Sequence, residues 1–176
     1  ALASMSLAEV RIFQNQWEAA RALISAVGRR PGSLTEADRV RVEALQARAS
    51  TRPFNERAAL QRLIGLQPQH KEYIYELGES YFHTADVDDA ARRYEQAIAL
   101  DPRYALAFNH LGYCYAWKGD HAAALRTLLR YRELDGSANA FDSLGVKSGD
   151  AVVPGRYYGA ASLELLRWIS PAWGLA

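Results

Sequence analysis

Hydrophobic and polar positions alternate with a helical period along most of the chain, and two stretches carry the clearest pattern. The segment 71–102 can be laid over 105–136 with an offset of 34 residues. Leu77 and Gly78 then fall on Leu111 and Gly112, Tyr81 on Tyr115, Asp86 on Asp120, Ala90 on Ala124, Tyr94 on Leu128, and Leu100 and Asp101 on Leu134 and Asp135. Such periodicity is the mark of stacked supersecondary units. Working outward, the N-terminal segment shows an eroded form of the same spacing, with Leu7 and Ala8, Asn15 in a turn, then Trp17, Ala20, Ile24 and Val27. It predicts helices at about 3–14 and 17–28. After the connector RRPGSL, Thr35 to Asp38 has the chemistry of a helix start, and helices are expected at about 36–49 and 54–66. The aligned core positions of this unit are partly charged, so its register is open.

Each repeated residue has a physical task. Gly78 and Gly112 let a second helix cross closely, Ala90, Ala97 and Ala124 supply the other side of that contact, and Tyr81, Tyr94 and Tyr115 fill the space between helices. Gly119 ends one helix and Asp120 caps the next. The first of the two repeats has Ala85 where the second has Gly119, a departure that weakens only the turn. This spacing resembles the tetratricopeptide repeat family, with Ile74 and Phe108 where the family usually has tryptophan, and Pro102 as its closing proline. Gly136 departs from that proline.

The resemblance implies an all-α fold, a right-handed α-solenoid of tetratricopeptide-type helical hairpins with a C-terminal non-repeat helix. The expected organisation is one domain over 1–176, with degenerate units at about 1–34 and 35–70, well-formed units at 71–104 and 105–137, a truncated unit at 138–153 and a terminal helix at 156–170. The array breaks because four residues separate Gly145 from Gly149, where seven separate Gly112 from Gly119, so the helix is about one turn short. Pro154 then falls where a second helix should run, at a cost of about 3 kcal/mol in a helix interior.

Composition narrows the function classes. Twenty-one basic against 20 acidic residues give a net charge of +1, which argues against a nucleic-acid partner held by a strong overall field. A single cysteine excludes an internal disulfide scaffold. No apolar run is long enough for a membrane span, and no leader pattern opens the chain, so the cytoplasm is the default compartment. The chain begins at Ala1 with helical patterning almost at once, as a processed chain or a piece of a longer one would.

The sharpest catalytic candidate is His110 with Cys114, which share a helix face at i and i+4 and suggest a ligand pair or an activated thiol. A zinc site would need further ligands, and no second cysteine is present. The favoured reading is packing, with Cys114 at the small inward position that Ser80 holds one repeat earlier. The acidic run Asp86 to Asp89 lacks the glycine and later glutamate of a calcium loop and reads as a helix N-terminus. Arginines at 29–30, 92–93 and at Arg126, Arg130 and Arg132 read as solvated faces. No phosphate loop or nucleophile elbow occurs, so no cofactor, no metal and no catalysis are expected.

The resemblance further implies that the first helix of each repeat lines a concave groove that binds protein or peptide segments. Helical phase around the Leu-Gly pairs then selects Glu72, Tyr75, Glu79, Phe82 and His83 in one repeat, and Leu106, Asn109, Tyr113 and Trp117 in the next, with Asp142 continuing the face. The aromatics offer amphipathic contact area, Asn109 can bond an extended backbone, and the glutamates Glu72, Glu76 and Glu79 favour a basic segment. Members of the family that clamp a terminal carboxylate use lysine, arginine and asparagine here, so that activity is not expected. The order of eroded units before clean ones is similar, more loosely, to the repeat regions of bacterial multidomain signalling proteins. Two alternatives stand beside groove binding: a homo-oligomeric scaffold formed through the apolar end LELLRWISPAWGLA, and a metal or thiol site at Cys114.

Overall fold

The structure is a computed structural model that describes residues 2–29 and 34–135. Its regular elements among these residues are eight helices: α1 (Leu2–Phe13), α2 (Trp17–Gly28), α3 (Glu36–Ala49), α4 (Pro53–Leu66), α5 (Lys71–Phe82), α6 (Val87–Leu100), α7 (Ala105–Trp117) and α8 (His121–Asp135). The first four agree with the helices expected from the sequence to within one residue at each end. The truncated unit, the terminal helix and Asp142 lie outside the described residues. The fold class is all-α, an α-solenoid of helical hairpins. The chain divides into two compact units, 1–84 and 85–176, with the division between α5 and α6.

Four turns share one backbone device. Asn15, Thr51, Ala85 and Gly119 adopt positive φ values of 59°, 51°, 63° and 78°. Each lies one residue before the position that precedes the next helix, and the last three follow one another at 34-residue intervals. At Asn15, Thr51 and Gly119 the hydrogen bonds are those of a left-handed helix cap. Asn15 N donates to Ile12 O at 2.9 Å and Gln16 N to Arg11 O at 2.8 Å. Thr51 N donates to Arg48 O and Arg52 N to Ala47 O, while Gly119 N donates to Ala116 O and Asp120 N to Tyr115 O. The turn therefore persists in the eroded units with asparagine and threonine in the glycine's place. It also fixes the register that the side-chain pattern left open.

Unit 1 begins with the hairpin of α1 and α2, whose buried face includes Met5, Ala8, Ile12, Ala20, Ile24 and Val27 and extends to Leu34, Leu45 and Ala49. α3 starts as its sequence foretold: Asp38 N donates to Thr35 Oγ1 at 3.1 Å, and Thr35 N donates back to Asp38 Oδ2 at 2.9 Å. Pro53 stands in the first turn of α4, where its missing N–H costs nothing. Val40 and Ala44 on α3, Ala59, Leu60 and Leu63 on α4, and Leu77 on α5 form a second cluster. Burying each of these leucines contributes about 1.5–3 kcal/mol of transfer free energy.

Two arginines fasten second helices to first ones within this unit. Arg21 lies six residues beyond Asn15 and donates to Ala49 O at 2.7 Å. Arg57 lies six residues beyond Thr51, donates to Ser80 O at 2.9 Å and to Thr84 Oγ1, and places its guanidinium 4.1 Å from the centre of the Tyr81 ring. Both occupy the ends of α3 and α5 where helix carbonyls lack intrahelical donors.

Unit 2 closes by small-to-large packing. Ala90, Tyr94 and Ala97 are buried on α6, Leu111, Gly112 and Cys114 on α7, and Ala124, Leu128 and Tyr131 on α8. A Cβ added to Gly112 would lie 2.6 Å from Leu128 Cγ, so the crossing of α7 over α8 needs glycine. Asp120 caps α8 by accepting from Ala123 N at 2.9 Å. Between α6 and α7, Lys118 Nζ pairs with Asp88 Oδ1 at 2.6 Å, and Tyr115 Oη donates to Glu95 Oε1 at 2.9 Å. Burial and this bond to the carboxylate push the Tyr115 hydroxyl up to about 12.

Candidate functional site

The left-handed residues supply a common ruler. Tyr75 precedes Ala85 by ten residues and Asn109 precedes Gly119 by ten; counted the same way, their counterparts are Met5 and Arg41. Glu72 and Leu106 correspond to Leu2 and Asp38, and Glu79 and Tyr113 to Glu9 and Leu45. Leu2, Met5, Glu9, Asp38, Arg41 and Glu72 all line one cleft of about 330 Å³ in unit 1, among α1, α3 and α5. Its remaining wall includes Ser6, Thr35, Ala37, Gln67, His70, Tyr73 and Glu76. Of the expected groove residues themselves Glu72 lines this cleft, whereas Tyr75 and Glu79 do not, and Leu45, the counterpart of Glu79, is buried.

The cleft has a charged floor. Arg41 is 9% exposed and forks onto Glu76, with Nη1 to Oε2 at 2.6 Å and Nη2 to Oε1 at 2.8 Å. Its Nε and Nη2 reach Glu9 Oε1 at 3.1 and 2.6 Å. Burial alone would lower the Arg41 pKa, but Glu76 and Glu9 outweigh it, and the group is held above its ordinary range. Arg48 continues the chain of alternating charges, with Nη1 3.7 Å from Glu76 Oε2 and Nε 3.2 Å from Glu56 Oε1. Glu56 also accepts from Ser80 Oγ at 3.3 Å. Burial raises the Glu56 pKa against the opposing pull of Arg48.

The cleft's rim is more open. Asp38 is held below the usual carboxylate range by its bonds from the Thr35 hydroxyl and backbone. His70 stacks on Tyr73 at 3.9 Å between ring centroids, nearly parallel. Its Nδ1 lies 2.9 Å from Glu72 Oε2, near enough for charge pairing but out of line for a hydrogen bond. Burial raises the Tyr73 hydroxyl pKa, and the Arg41 guanidinium sits 5.3 Å from the centre of its ring.

The other expected groove residues divide between the units. On α5, Tyr75 and Phe82 are half-buried, Glu79 lies 3.9 Å from His83 Nε2, and His83 is exposed. Phe82 meets His83 edge to face at 6.2 Å. On α7, Leu106 is 49% and Trp117 57% exposed, whereas Tyr113 is buried with its ring against His110. Asn109 is half-buried, and its Oδ1, closed to solvent, accepts no hydrogen bond among the described residues. Arg41 escaped the sequence reading because the register of its unit was open; Glu9 lies in a unit whose turn at Asn15 was read, but the groove face was not carried upstream to it.

Cys114 is fully buried on α7. His110 Nδ1 faces Leu106 O at 3.1 Å, so that nitrogen carries the proton, and its ring lies 5.6 Å from that of Tyr94. Among the described residues no group of three or more His, Cys, Asp or Glu is placed to hold a metal ion, and no helix is long and apolar enough to cross a membrane.

The paired helices and left-handed turns define a helical-repeat protein of the α-solenoid class. Residues 75–139 match the family model of the tetratricopeptide repeat, and the chain carries repeats of that family. A similar structure is that of TTC0263, a thermophilic tetratricopeptide-repeat protein of Thermus thermophilus, at 16% identity and a TM-score of 0.65 over 82% of this chain and 79% of that one. MamA is similar at 18% identity and a TM-score of 0.57, over 99% and 96% of the two chains. YrrB, a tetratricopeptide-repeat protein with an unusual peptide-binding site, is similar at 18% identity and a TM-score of 0.57, over 76% and 68%. At these identities the likeness is one of fold. No curated protein matches the chain. Tetratricopeptide repeats are in general protein-interaction modules without catalytic function.

Proposed function

We propose that the chain is a non-catalytic binding module that takes an extended, basic segment of a partner protein along its first-position helices. The observation that carries this reading is the cleft of unit 1, where three such helices meet. Four carboxylates, Glu9, Asp38, Glu72 and Glu76, face it against the single guanidinium of Arg41. Arg48 also reaches Glu76 at 3.7 Å and Lys71 Nζ lies 3.9 Å from Glu72, so four carboxylates meet three cations; one negative charge remains, with histidine counted neutral, and favours lysine or arginine on the ligand. Leu2, Met5 and Tyr73 provide apolar surface for the stems of such side chains. In unit 2 the α7 face, taken by itself, offers Trp117 as an exposed aromatic contact. The peptide-binding site of YrrB, on a similar fold, supports the same use of the repeats.

The test is fluorescence anisotropy with a labelled peptide of repeated Lys-Leu-Arg and with its Glu-Leu-Asp counterpart. The basic peptide is expected to bind and to weaken with added salt. Glu72→Lys should reduce its affinity about tenfold, the scale of one rim charge reversed. Equal binding of both peptides, or indifference to Glu72→Lys, would refute the basic-segment reading.

A further inference from the structure

We propose that Arg41 is the positioning residue of the cleft: it holds α1 and α5 on either side of α3 at the separation at which a segment can enter, and does not itself touch that segment. The ligand arm of the test rests on the binding reading above, whereas the distance arm does not.

Three observations converge on this role. First, the donors of Arg41 are committed. An arginine has five N–H groups, and four contacts to Glu9 and Glu76 at 2.6–3.1 Å occupy Nε and both terminal nitrogens. The side chain is 10% exposed, which leaves little of it for a ligand to reach. Second, those contacts span three helices, from Glu9 on α1 through Arg41 on α3 to Glu76 on α5. The planar fork toward Glu76 fixes direction as well as distance, which a single point charge cannot do. Third, a buried ion pair adds little stability over well-packed apolar residues and can instead select one geometry. The equivalent position on α1 is Met5, so this site in the fold accepts an apolar residue.

Arg41→Lys preserves the charge of the cleft but not the fork, so it separates geometry from electrostatics. Spin labels at Leu7 on α1, which is 42% exposed, and Lys71 on α5 would be placed in a Cys114→Ser background, following Ser80 at the equivalent position. Pulsed dipolar spectroscopy without ligand should give one narrow distance distribution for the parent and a broadened one for Arg41→Lys, at unchanged helix content. Affinity for the Lys-Leu-Arg peptide should fall about tenfold or more, while Glu72→Gln weakens binding and leaves the distances alone. If Arg41→Lys does not fold, Glu9→Gln, Arg41→Met, Glu76→Gln strands no buried charge and must show the same broadening. An unchanged distribution in a folded variant overturns the proposal, including the case where affinity is lost at fixed distance, which would make Arg41 a ligand contact. Broadening in a protein whose parent binds no basic peptide upholds the positioning role and refutes the binding reading alone.

Discussion

In unit 1 the buried residues include Arg41, Glu56 and Arg57, whereas in unit 2 the described buried residues are alanine, leucine, tyrosine, glycine and cysteine. The difference follows the repeat pattern. Where the Leu-Gly pair and its facing alanines are intact, α7 and α8 approach closely enough for Gly112 to meet Leu128 directly. In α3 and α4, where that pattern has eroded and Glu56 stands at the place of Ala124, long charged side chains satisfy one another across helices, while α1 and α2 close with Ala8, Ala20 and Ile24. Both solutions keep the same turn, so the hairpin geometry is set by backbone register and tolerates two chemistries of closure. The charged solution carries a desolvation cost that small-residue packing avoids, and in return it presents carboxylates to a cleft.

The contrast breaks most severely at Arg41. Replacing it with alanine leaves Glu9 without its cation and Glu76, whose side chain is only 16% exposed, with Arg48 alone at 3.7 Å. The expected loss is about 3–5 kcal/mol of unfolding free energy, read by urea denaturation. Asn109→Ala at the equivalent place in unit 2 removes an acceptor that has no donor, so a change of about 0.5 kcal/mol or less is expected. Comparable losses at the two positions would show that the units close alike.

Unit 2 is probed by Gly112→Ala. The new methyl group would meet Leu128 Cγ and Cδ2 at 2.6 Å, and the leucine is fully buried with little room to retreat. Overpacking of this kind costs about 1–3 kcal/mol. The cost should shrink when measured in a Leu128→Ala background, where the methyl group enters the space left by the side chain. Additive effects in that double-mutant cycle would place the strain elsewhere.

The helices and the two clean repeats were legible because their signals are local: Leu-Gly pairs, facing alanines, Thr35 with Asp38, and Gly119 with Asp120 all act within a few residues. The cleft was not legible for two reasons. Arg41 finds Glu9 and Glu76 at sequence separations of 32 and 35, and nothing local announces such pairs. Glu76 therefore read as an acid offered to a ligand, although Arg41 and Arg48 both address it in the fold. Helical phase also says which way a side chain points, not what covers it. Tyr113 shares the phase of Glu79, yet it is 5% exposed while Trp117 near the same face is 57% exposed.

The smallest expected effects test the feature that the units share. Non-glycine residues in left-handed backbone cost about 1–2 kcal/mol, and a branched residue such as threonine is the least suited of them. Thr51→Gly relieves that strain but adds freedom to the unfolded chain and forfeits the bond from Thr51 Oγ1 to Ser50 O, so a net gain of about 0.5–1 kcal/mol is expected. Ala85→Gly should gain about as much, and Asn15→Gly close to nothing, because asparagine enters this region readily. Gly119→Ala should lose about 1 kcal/mol through backbone conformation alone, since open space surrounds its would-be Cβ. The ranking across the four turns, measured by thermal denaturation, carries the argument. If Thr51→Gly destabilises while Ala85→Gly stabilises, the Thr51 side chain contributes more to its turn than left-handed strain removes, and the shared device would be one of position rather than of energy.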